Sequence, residues 1–509
     1  MSVLDNIARA LGYEPRKAPQ PVRQRGYYVK MPAKRNFSGT STERLYASWN
    51  PQNYSADSEI RGDLKTLRAR SRELERNNDY AKKFFRMVKT NVVGASGIKL
   101  QSMVMFERGQ KPDDGARARI ESAFLNWQKR GNCDVTGAYA FRDVQKLVVS
   151  SVARDGEALV RIVRGYDNPF RFALQLIEAD HLDEHYSDML PSGNIVKMGI
   201  EFDKWGKPVA YHIFERHPGD MFGMNVGNTR GERIRIPAAD MLHVFHPMRV
   251  SQSRGVPWMH AAMTRLNMLG GYEEAELVAA RLGANKGGFY KQEIGEDYVG
   301  DDIEPGTFTP LQNSEPGEFE VLGPGWDFKP YDPQHPNSAF EAFEKAILRG
   351  IASGLDVSYN YLANDLEGVN YSSMRAGVID ERDVWRDIQT FIIDHFLTPV
   401  FENWLEMALL SGQISLPFTG LERFKVAKWQ ARGWQWVDPL KDLQAKRLAI
   451  TGGLDTAASI AAETGKDIEE IYAELAREKE LRKKYGIETD LDTETKLQPQ
   501  QTDVSTDEE

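Results

Sequence analysis

Cysteine is nearly missing from this chain: Cys133 is the single one among 509 residues. No intramolecular disulfide can form, and without a CxxC pair no zinc ribbon or dithiol centre is expected. A reducing compartment is the expected setting. Long apolar runs are missing as well; no stretch reaches 18 apolar residues, so no membrane-spanning helix is expected. The opening MSVLDNIARALGYEP places Asp5 and Arg9 where a secretion signal needs an unbroken apolar core, and export by that route is not expected. Positive charge is not in excess: 65 Lys plus Arg face 74 Asp plus Glu, a formal net charge of -9. That balance argues against a protein that coats nucleic acid through an overall basic surface, while leaving nucleic acid open as a transient passenger.

Catalytic signatures are scarce too. Gly94-Ala95-Ser96-Gly97 is one residue short of a GxSxG elbow. Thr464-Gly465-Lys466-Asp467 resembles the last residues of a phosphate-binding loop, but Ile460 stands where the first glycine must be and Asp467 replaces the hydroxyl residue. No nucleotide-binding loop is expected there, and no cofactor is expected at all. Cys133 has no histidine beside its expected helix end to activate it.

What is present reads as a folded chain: 41% apolar residues, 42 Gly and 24 Pro are near the globular average, and the length predicts two to four structural units. Charge is unevenly placed. Arg9 to Arg35 contains eight Lys or Arg against Glu14, whereas residues 488–509 contain eight Asp or Glu against Lys496, so the two ends should meet different partners. Leu4, Ile7, Ala8 and Leu11 predict a short amphipathic helix over 2–11, followed by an extended stretch to about Tyr54. Helices are expected over 57–78, on to Val93, over 114–130 and over 139–154, the last burying Phe141, Val144, Leu147, Val148 and Val152. After Asp155-Gly156 the runs EALVRIVR, FRFALQLIEA, NIVKMGIEFD, PVAYHIF and MLHVFHP have strand chemistry, and DKWGKP reads as a hairpin turn. Residues 156–247 are therefore expected to form a mainly antiparallel β unit.

Helical periodicity returns from Pro257, with Trp258, Ala262, Leu266, Leu269, Leu277 and Ala280 on one stripe, and stops at Gly287-Gly288. Residues 286–337 form an insert rich in Gly, Pro and acids, with strand-like GGFYKQ and EFEVL, before another helix from Ser338 to about Ser353. A loop with Tyr359, Tyr361 and Tyr371 follows, then a long helix from about Ser372 that Pro399 should kink or interrupt. Helices are expected from Asp438-Pro439 to about Ala449, over 456–463 and over 467–485; beyond Gly486 the composition is that of a disordered tail.

Several constellations invite a chemical reading, each beside a plainer one. His181-Leu182-Asp183-Glu184-His185 satisfies the HxxEH pattern of inverted zinc peptidases, in which two histidines on a helix share Zn²⁺ and Glu184 acts as general base; against it, the motif lies between two expected strands, where surface or turn residues are the alternative. His243 and His246, three apart in an expected strand, are a poor metal pair. Arg68, Arg70, Arg72 and Arg76 are read as a solvated helix face balanced by Glu73 and Glu75, or as phosphate contacts. The stripe Trp385, Phe391, Phe396, Phe401 and Trp404 is read as core, with a ligand box as the alternative. Asp365 and Glu367 are either solvated loop residues or functional acids.

Taken in order, RSRELERNNDYAKKF with NVVGASGIKLQ, DGEALVRIV, LQLIEADHLD, GIEFDKWGKPVAYHIF, RGVPWMHAAM, EAELVAARLGANKGGFY, DLEGVNYSSMRAG and RGWQWVDPLKD resemble the portal proteins of tailed bacteriophages, lambda family, from about residue 40 to 485. The resemblance implies an α+β portal fold and a ring, usually of twelve subunits, at one capsid vertex, through which double-stranded DNA enters and leaves. It implies a basic N-terminal arm (1–56), a wing (57–256, helical over 57–155 and β-rich over 156–247), stem helices (257–285 and 338–354) and a clip (286–337). A tunnel loop (355–371), a long helix with the return to the wing (372–438), a helical crown (439–486) and an acidic tail (487–509) complete it. The DNA channel would be lined by Asn360, Asn364, Asp365, Glu367 and Asn370. Glu293, Glu296, Asp297, Asp301, Asp302 and Glu304 of the clip would dock the large terminase subunit and later a head-tail adaptor. The major capsid protein or a scaffold would be a further partner, with no membrane involved, and the protein would reside in the virion after assembly in the host cytoplasm. No catalytic residue and no metal is implied. The competing expectations are a zinc-dependent hydrolase built on His181, Glu184 and His185, and a monomeric capsid-associated binding protein.

Overall fold

The computed structural model describes residues 52–106, 111–220, 232–284, 288–292, 326–330, 340–367, 371–434 and 439–486. Backbone packing divides the chain into Met1–Tyr54 and Ser55–Glu509, and the second unit carries the fold described below. The helix expected over 2–11, the basic arm, the strand-like EFEVL, the clip acids Glu293 to Glu304, Asn370 and the acidic tail lie outside the described residues.

Ser55 opens α1 (Ala56–Ile60) by accepting the Ser58 N–H at 3.3 Å. The single helix expected over 57–78 is in fact two, with α2 (Leu64–Asn77) starting after Gly62, where backbone freedom is greatest. Asn78 then accepts the Ala81 N–H and caps α3 (Asp79–Val88), which runs through a π turn, Lys89–Val93, to Gly94. After β1 (Lys99–Ser102) come α4 (Asp114–Trp127) and α5 (Phe141–Asp155). Their bounds lie close to those expected from periodicity. One assignment on α5 differs: Phe141, Val144, Val148 and Val152 are buried, but Leu147 is 38% exposed.

Eight strands follow: β2 (Glu157–Arg164), β3 (Phe172–Ile177), β4 (Asp188–Met189), β5 (Ile195–Lys197), β6 (Ile200–Phe202), β7 (Pro208–Phe214), β8 (Arg233–Pro237) and β9 (Met241–Phe245). Every pairing among them is antiparallel, as expected, but they form two sheets. One has the order β3-β2-β9 and the other β4-β5-β6-β7-β8. NIVKMGIEFD is split into β5 and β6, because Met198 and Gly199 take φ of 47° and 84° and turn the chain back. β9 leaves the strand that precedes it and pairs with β2, so its inner face joins the main core. A separate small core of Leu159, Leu182, Ile200, Tyr211, Ile213, Ile236 and Met241 is shared by the two sheets.

The helix expected from Pro257 begins later, as α6 (Met263–Ala284), and buries Leu266 and Leu269 while leaving Leu277 65% exposed. The strand β10 (Gly288–Gln292) pairs with β11 (Trp326–Pro330) in register Gly288 to Pro330, and the chain returns through α7 (Phe340–Gly354). α6 and α7 pack on each other through Tyr272, 5.7 Å from Phe340 and 5.2 Å from Phe343, and Arg265 donates to the Gly350 carbonyl at 3.1 Å. Tyr80 of α3 donates towards Glu273 of α6 and Glu344 of α7 at 3.4 and 3.2 Å. Burial, then the neighbouring Glu344, pushes the Glu273 carboxyl above its ordinary range.

A short helix, α8 (Tyr359–Ala363), interrupts the loop, and α9 (Tyr371–Ile392) follows. Pro399 acts as expected: the helix breaks into a π turn, Ile393–Leu397, before α10 (Thr398–Leu410), because proline has no N–H to continue the ladder. Then come α11 (Leu421–Phe424) and β12 (Ala427–Gln430), which pairs with β1 across more than 300 residues of chain. The chain ends its described part in α12 (Pro439–Thr451), α13 (Ala457–Glu463) and α14 (Ile468–Tyr485). The aromatic stripe is core, as expected: Trp385, Phe391, Phe396, Phe401 and Trp404 are all buried. Phe124 of α4 meets the last two of them, 4.8 Å from Trp404 and 5.7 Å from Phe401, and lies 5.4 Å from Trp127.

Candidate functional site

Burying a charge is unfavourable unless it is paired and hydrogen-bonded, so fully buried charges mark places the fold has built with care. Glu157, the first residue of β2, is 0% exposed. It accepts from Arg68 of α2 at 2.6 Å, from Arg254 Nε at 2.9 and 3.0 Å, from His243 of β9 at 2.8 Å and from the Gly255 N–H at 3.0 Å. Arg254 also donates to the carbonyls of Leu182, Met198 and Ala179 and thereby ties both sheets together. Burial pushes the Glu157 carboxyl up, but Arg254 and Arg68 outweigh it and hold the group well below the ordinary carboxylate range. His243 is lowered by burial, which outweighs its bond to Glu157. A close backbone approach seals the knot: a Cβ on Gly255 would lie 2.0 Å from the Gly156 carbonyl oxygen.

Both readings offered for the arginines of α2 are corrected here for two of them. Arg68 is buried, and Arg72 bridges Asp155 at 2.7 Å and Asp180. Neither is a solvated counter-charge to Glu73 and Glu75, and neither is available to a phosphate. Hydropathy cannot foresee this, because the partners lie some 80 to 110 residues further along.

The HxxEH pattern does not form a zinc site. His181 ends a 3-10 turn, Ala179–His181, and Leu182 is already extended, so the helical geometry that would bring His181 and His185 to one metal is missing. His181 Nδ1 is engaged with the Phe214 carbonyl at 2.9 Å, His185 is 66% exposed, and Glu184 faces Arg68 at 3.7 Å. Glu178, Asp180 and His217 do converge, with one ligand atom each within 4.8 Å. Their chemistry does not suit a metal: the Gly219 N–H donates to His217 Nδ1 at 3.1 Å, which places the ring proton on Nε2, the atom facing the carboxylates. Arg72 already neutralises both acids. Cys133 is buried, with its Sγ near the Tyr139 carbonyl and its thiol pushed up to about 12 by burial, so it is no nucleophile. His243 is consumed by Glu157, and His246 packs 5.3 Å from Phe391, so these two do not form a metal pair.

The loop between α7 and α9 is more ordered in its chemistry than a run of solvated polar residues. Asn360 lies within α8 and is half-buried. Asn364 takes φ 58° to end that helix and accepts from Lys83 of α3. Asp365 accepts from the Tyr359 hydroxyl at 2.6 Å and from the Glu367 N–H at 3.0 Å, which holds its carboxyl below the ordinary range. Lys345 of α7 reaches three acids, Glu341 at 2.6 Å, Asp365 at 3.6 Å and Glu367 at 3.5 Å. The structure thus brings Asn364, Asp365 and Glu367 together and adds two lysines that sequence reasoning missed. The Glu341 and Lys345 spacing of four on a helix was the available signal for one of them. Glu367, 83% exposed at its side chain, is the member left most open to solvent.

Comparison with known proteins fits these observations to one family. The model of the family described as phage portal protein, lambda family, matches residues 42–389. The chain is 40% identical over 460 residues to the probable portal protein of Halomonas phage phiHAP-1, covering 89% of this chain and 88% of that one. It is 24% identical over 476 residues to portal protein B of Escherichia phage lambda, covering 86% and 88%. Among solved structures, a chain in the neck of an empty GTA particle superposes with a TM-score of 0.42 at 14% identity, covering 79% of this chain and 93% of that one. The family is a structural component of phage heads, which sets the hydrolase reading of His181, Glu184 and His185 aside. With the family model matched over well over half its length, the chain belongs to the lambda family of phage portal proteins.

Proposed function

We propose that the chain is the subunit of a ring, of twelve copies by family resemblance, that sits at one capsid vertex and conducts double-stranded DNA during packaging and ejection. The observation that carries this reading is the family match over residues 42–389. Within it, residues 57–256 serve as the wing, α6 and α7 as the stem, 286–337 as the clip, 355–371 as the tunnel loop and 439–486 as the crown. Asn360, Asn364, Asp365, Glu367 and Asn370 face the DNA. The clip acids Glu293, Glu296, Asp297, Asp301, Asp302 and Glu304 meet the terminase and then the adaptor, and the basic arm 1–56 meets capsid or scaffold. The protein resides in the virion, having assembled in the host cytoplasm. Antiparallel stem helices flanking an insert that leaves and re-enters at neighbouring points suit such a subunit. So does an acidic chain, since every basic contact with phosphate adds a counterion-release contribution to affinity, and a conduit should hold DNA weakly.

Native mass spectrometry and negative-stain imaging test the assembly. Rings with a central hole are expected, and only a 57.7 kDa species at micromolar concentration in several salts overturns the reading. The loop has its own test. Asp365 is tied to Tyr359 and Lys345, so substituting it would disturb packing as well as charge; Glu367→Lys changes charge at an exposed position. In rings carrying Glu367→Lys, DNA passage is expected to slow several-fold at low salt, with the defect easing as screening shortens the reach of the new charge. Packaging or ejection kinetics at wild-type rates in low salt would remove Glu367 from the channel wall.

A further inference from the structure

A cleft of about 410 Å³ lies between α9, the end of β12 and the turn joining α13 to α14. Its walls include Arg386, Lys428, Arg432, Trp434 and Lys466. Three guanidinium groups surround the Trp434 ring: Arg386 and Arg432 each lie 5.8 Å from its centroid, and Arg382 lies 5.9 Å away. Cation–π attraction offsets part of the cost of gathering like charges. The remainder is visible in the side chains themselves. Burial, and then neighbouring arginine charge, lowers Arg432 and Arg382 below the ordinary arginine range.

The two acids that line the cleft are engaged elsewhere. Glu463 is paired with Lys446, and Asp467 caps α14 by accepting the Glu469 N–H at 2.8 Å. Arg432 donates to the Thr90 carbonyl and to Asn91, both uncharged, while Arg386 has an exposed pair with Asp383. Among the described residues, neither Lys428 nor Lys466 has a carboxylate partner. Gly433 lets the segment after β12 approach the turn between α13 and α14, since a Cβ there would lie 2.0 Å from the Glu463 carbonyl oxygen. Lys466 belongs to the Thr-Gly-Lys-Asp segment, which cannot form a nucleotide-binding loop; the fold instead brings this residue to the same cleft as the arginines.

We propose that this cleft binds the phosphate backbone of nucleic acid. Planar guanidinium forks match phosphate oxygens, and indole-flanked basic grooves are a recurring way of holding a strand without reading its sequence. The readout is the difference between variants in one assembly state, so a contribution from the ring or from the loop at 355–371 is common to all of them and cancels.

The test uses the full chain and a 12-nucleotide single strand, alongside a duplex of the same length, over a salt series. Arg386→Ala with Lys466→Ala is compared with wild type and with Arg142→Ala, an exposed arginine outside the cleft. The double variant is expected to weaken binding about tenfold or more at low salt. It should also flatten the slope of log K against log salt by about 1.4 for the single strand or 1.8 for the duplex, the share of two neutralised phosphates. Arg142→Ala should change neither. Unchanged affinity and slope in the double variant would overturn the proposal. Displacement of the strand by inorganic phosphate at matched ionic strength would reassign the site to a free anion, and binding of a 487–509 peptide in place of any oligonucleotide would reassign it to an acidic peptide; either result overturns the nucleic-acid reading.

Discussion

Glu157→Gln is expected to destabilise the folded chain by about 3–5 kcal/mol, because removing one partner of a buried ionic group strands the others. Arg68 and Arg254 are 1% and 0% exposed; Arg254 pairs with Glu157, and Arg68 would keep only its longer contacts to Glu184 at 3.7 Å and Asp180 at 3.9 Å. Arg254 would keep its carbonyl contacts, so the two sheets should stay connected, but two buried cations would face a neutral amide. The pH dependence has a definite sign. His243 is neutral in the fold with its pKa lowered from 6.5, so its contribution is present above pH 6.5 and is lost as pH falls towards the lowered value. Glu157 is lowered from 4.5, so its contribution is present above that value and is lost on further acidification. Urea midpoints of wild type should therefore begin to fall as pH drops below 6.5 and fall further below 4.5. A Glu157→Gln protein whose midpoint at neutral pH equals that of wild type would show that the knot contributes no net stability.

Trp404→Ala is expected to cost about 3–5 kcal/mol, the range for emptying a large buried aromatic site. Trp404 is 0% exposed and touches the rings of Phe124, Phe401, Trp127 and Phe170. It is the place where α10 packs on α4 and on the approach to β3, so the loss should loosen the long-helix region from the first helical part. Trp404→Phe keeps part of the ring contact and should cost less than half as much. Thermal melting of the three proteins in the same assembly state checks the order; an alanine variant melting with wild type would mean that the surrounding rings close the gap without loss.

Much of the helical framework was legible because burial of one face repeats every three to four residues and needs no knowledge of the partner. α4 and α5 fall where periodicity places them, and Pro399 interrupts its helix for a reason intrinsic to proline. The strands after Gly156 were legible in kind, but their grouping was not. The same β-branched and aromatic chemistry suits either sheet, and β9 joins β2 only because the folded core offers it that edge. β4, β8, β12 and the pairing of β1 with β12 escaped notice, since short, half-exposed strands have weak alternation and partners far away in sequence.

Charge was the least legible quantity. Arg68 reads from sequence like any helix-surface arginine, and Lys345 like half of an ordinary helical pair, until tertiary structure sets Glu157 against the first and Asp365 and Glu367 against the second. What the sequence by itself determined was the local framework, the absence of disulfide, nucleotide-loop and nucleophile-elbow chemistry, and the family. What only the tertiary structure decided was which ionic groups are buried together, that His181 and His185 do not share a site, and that Arg386, Arg432 and Lys466 line one cleft. The physical reason is range: apolar periodicity is satisfied by any nonpolar surface, whereas a charge is settled by one particular partner, and here those partners arrive from distant segments of the chain.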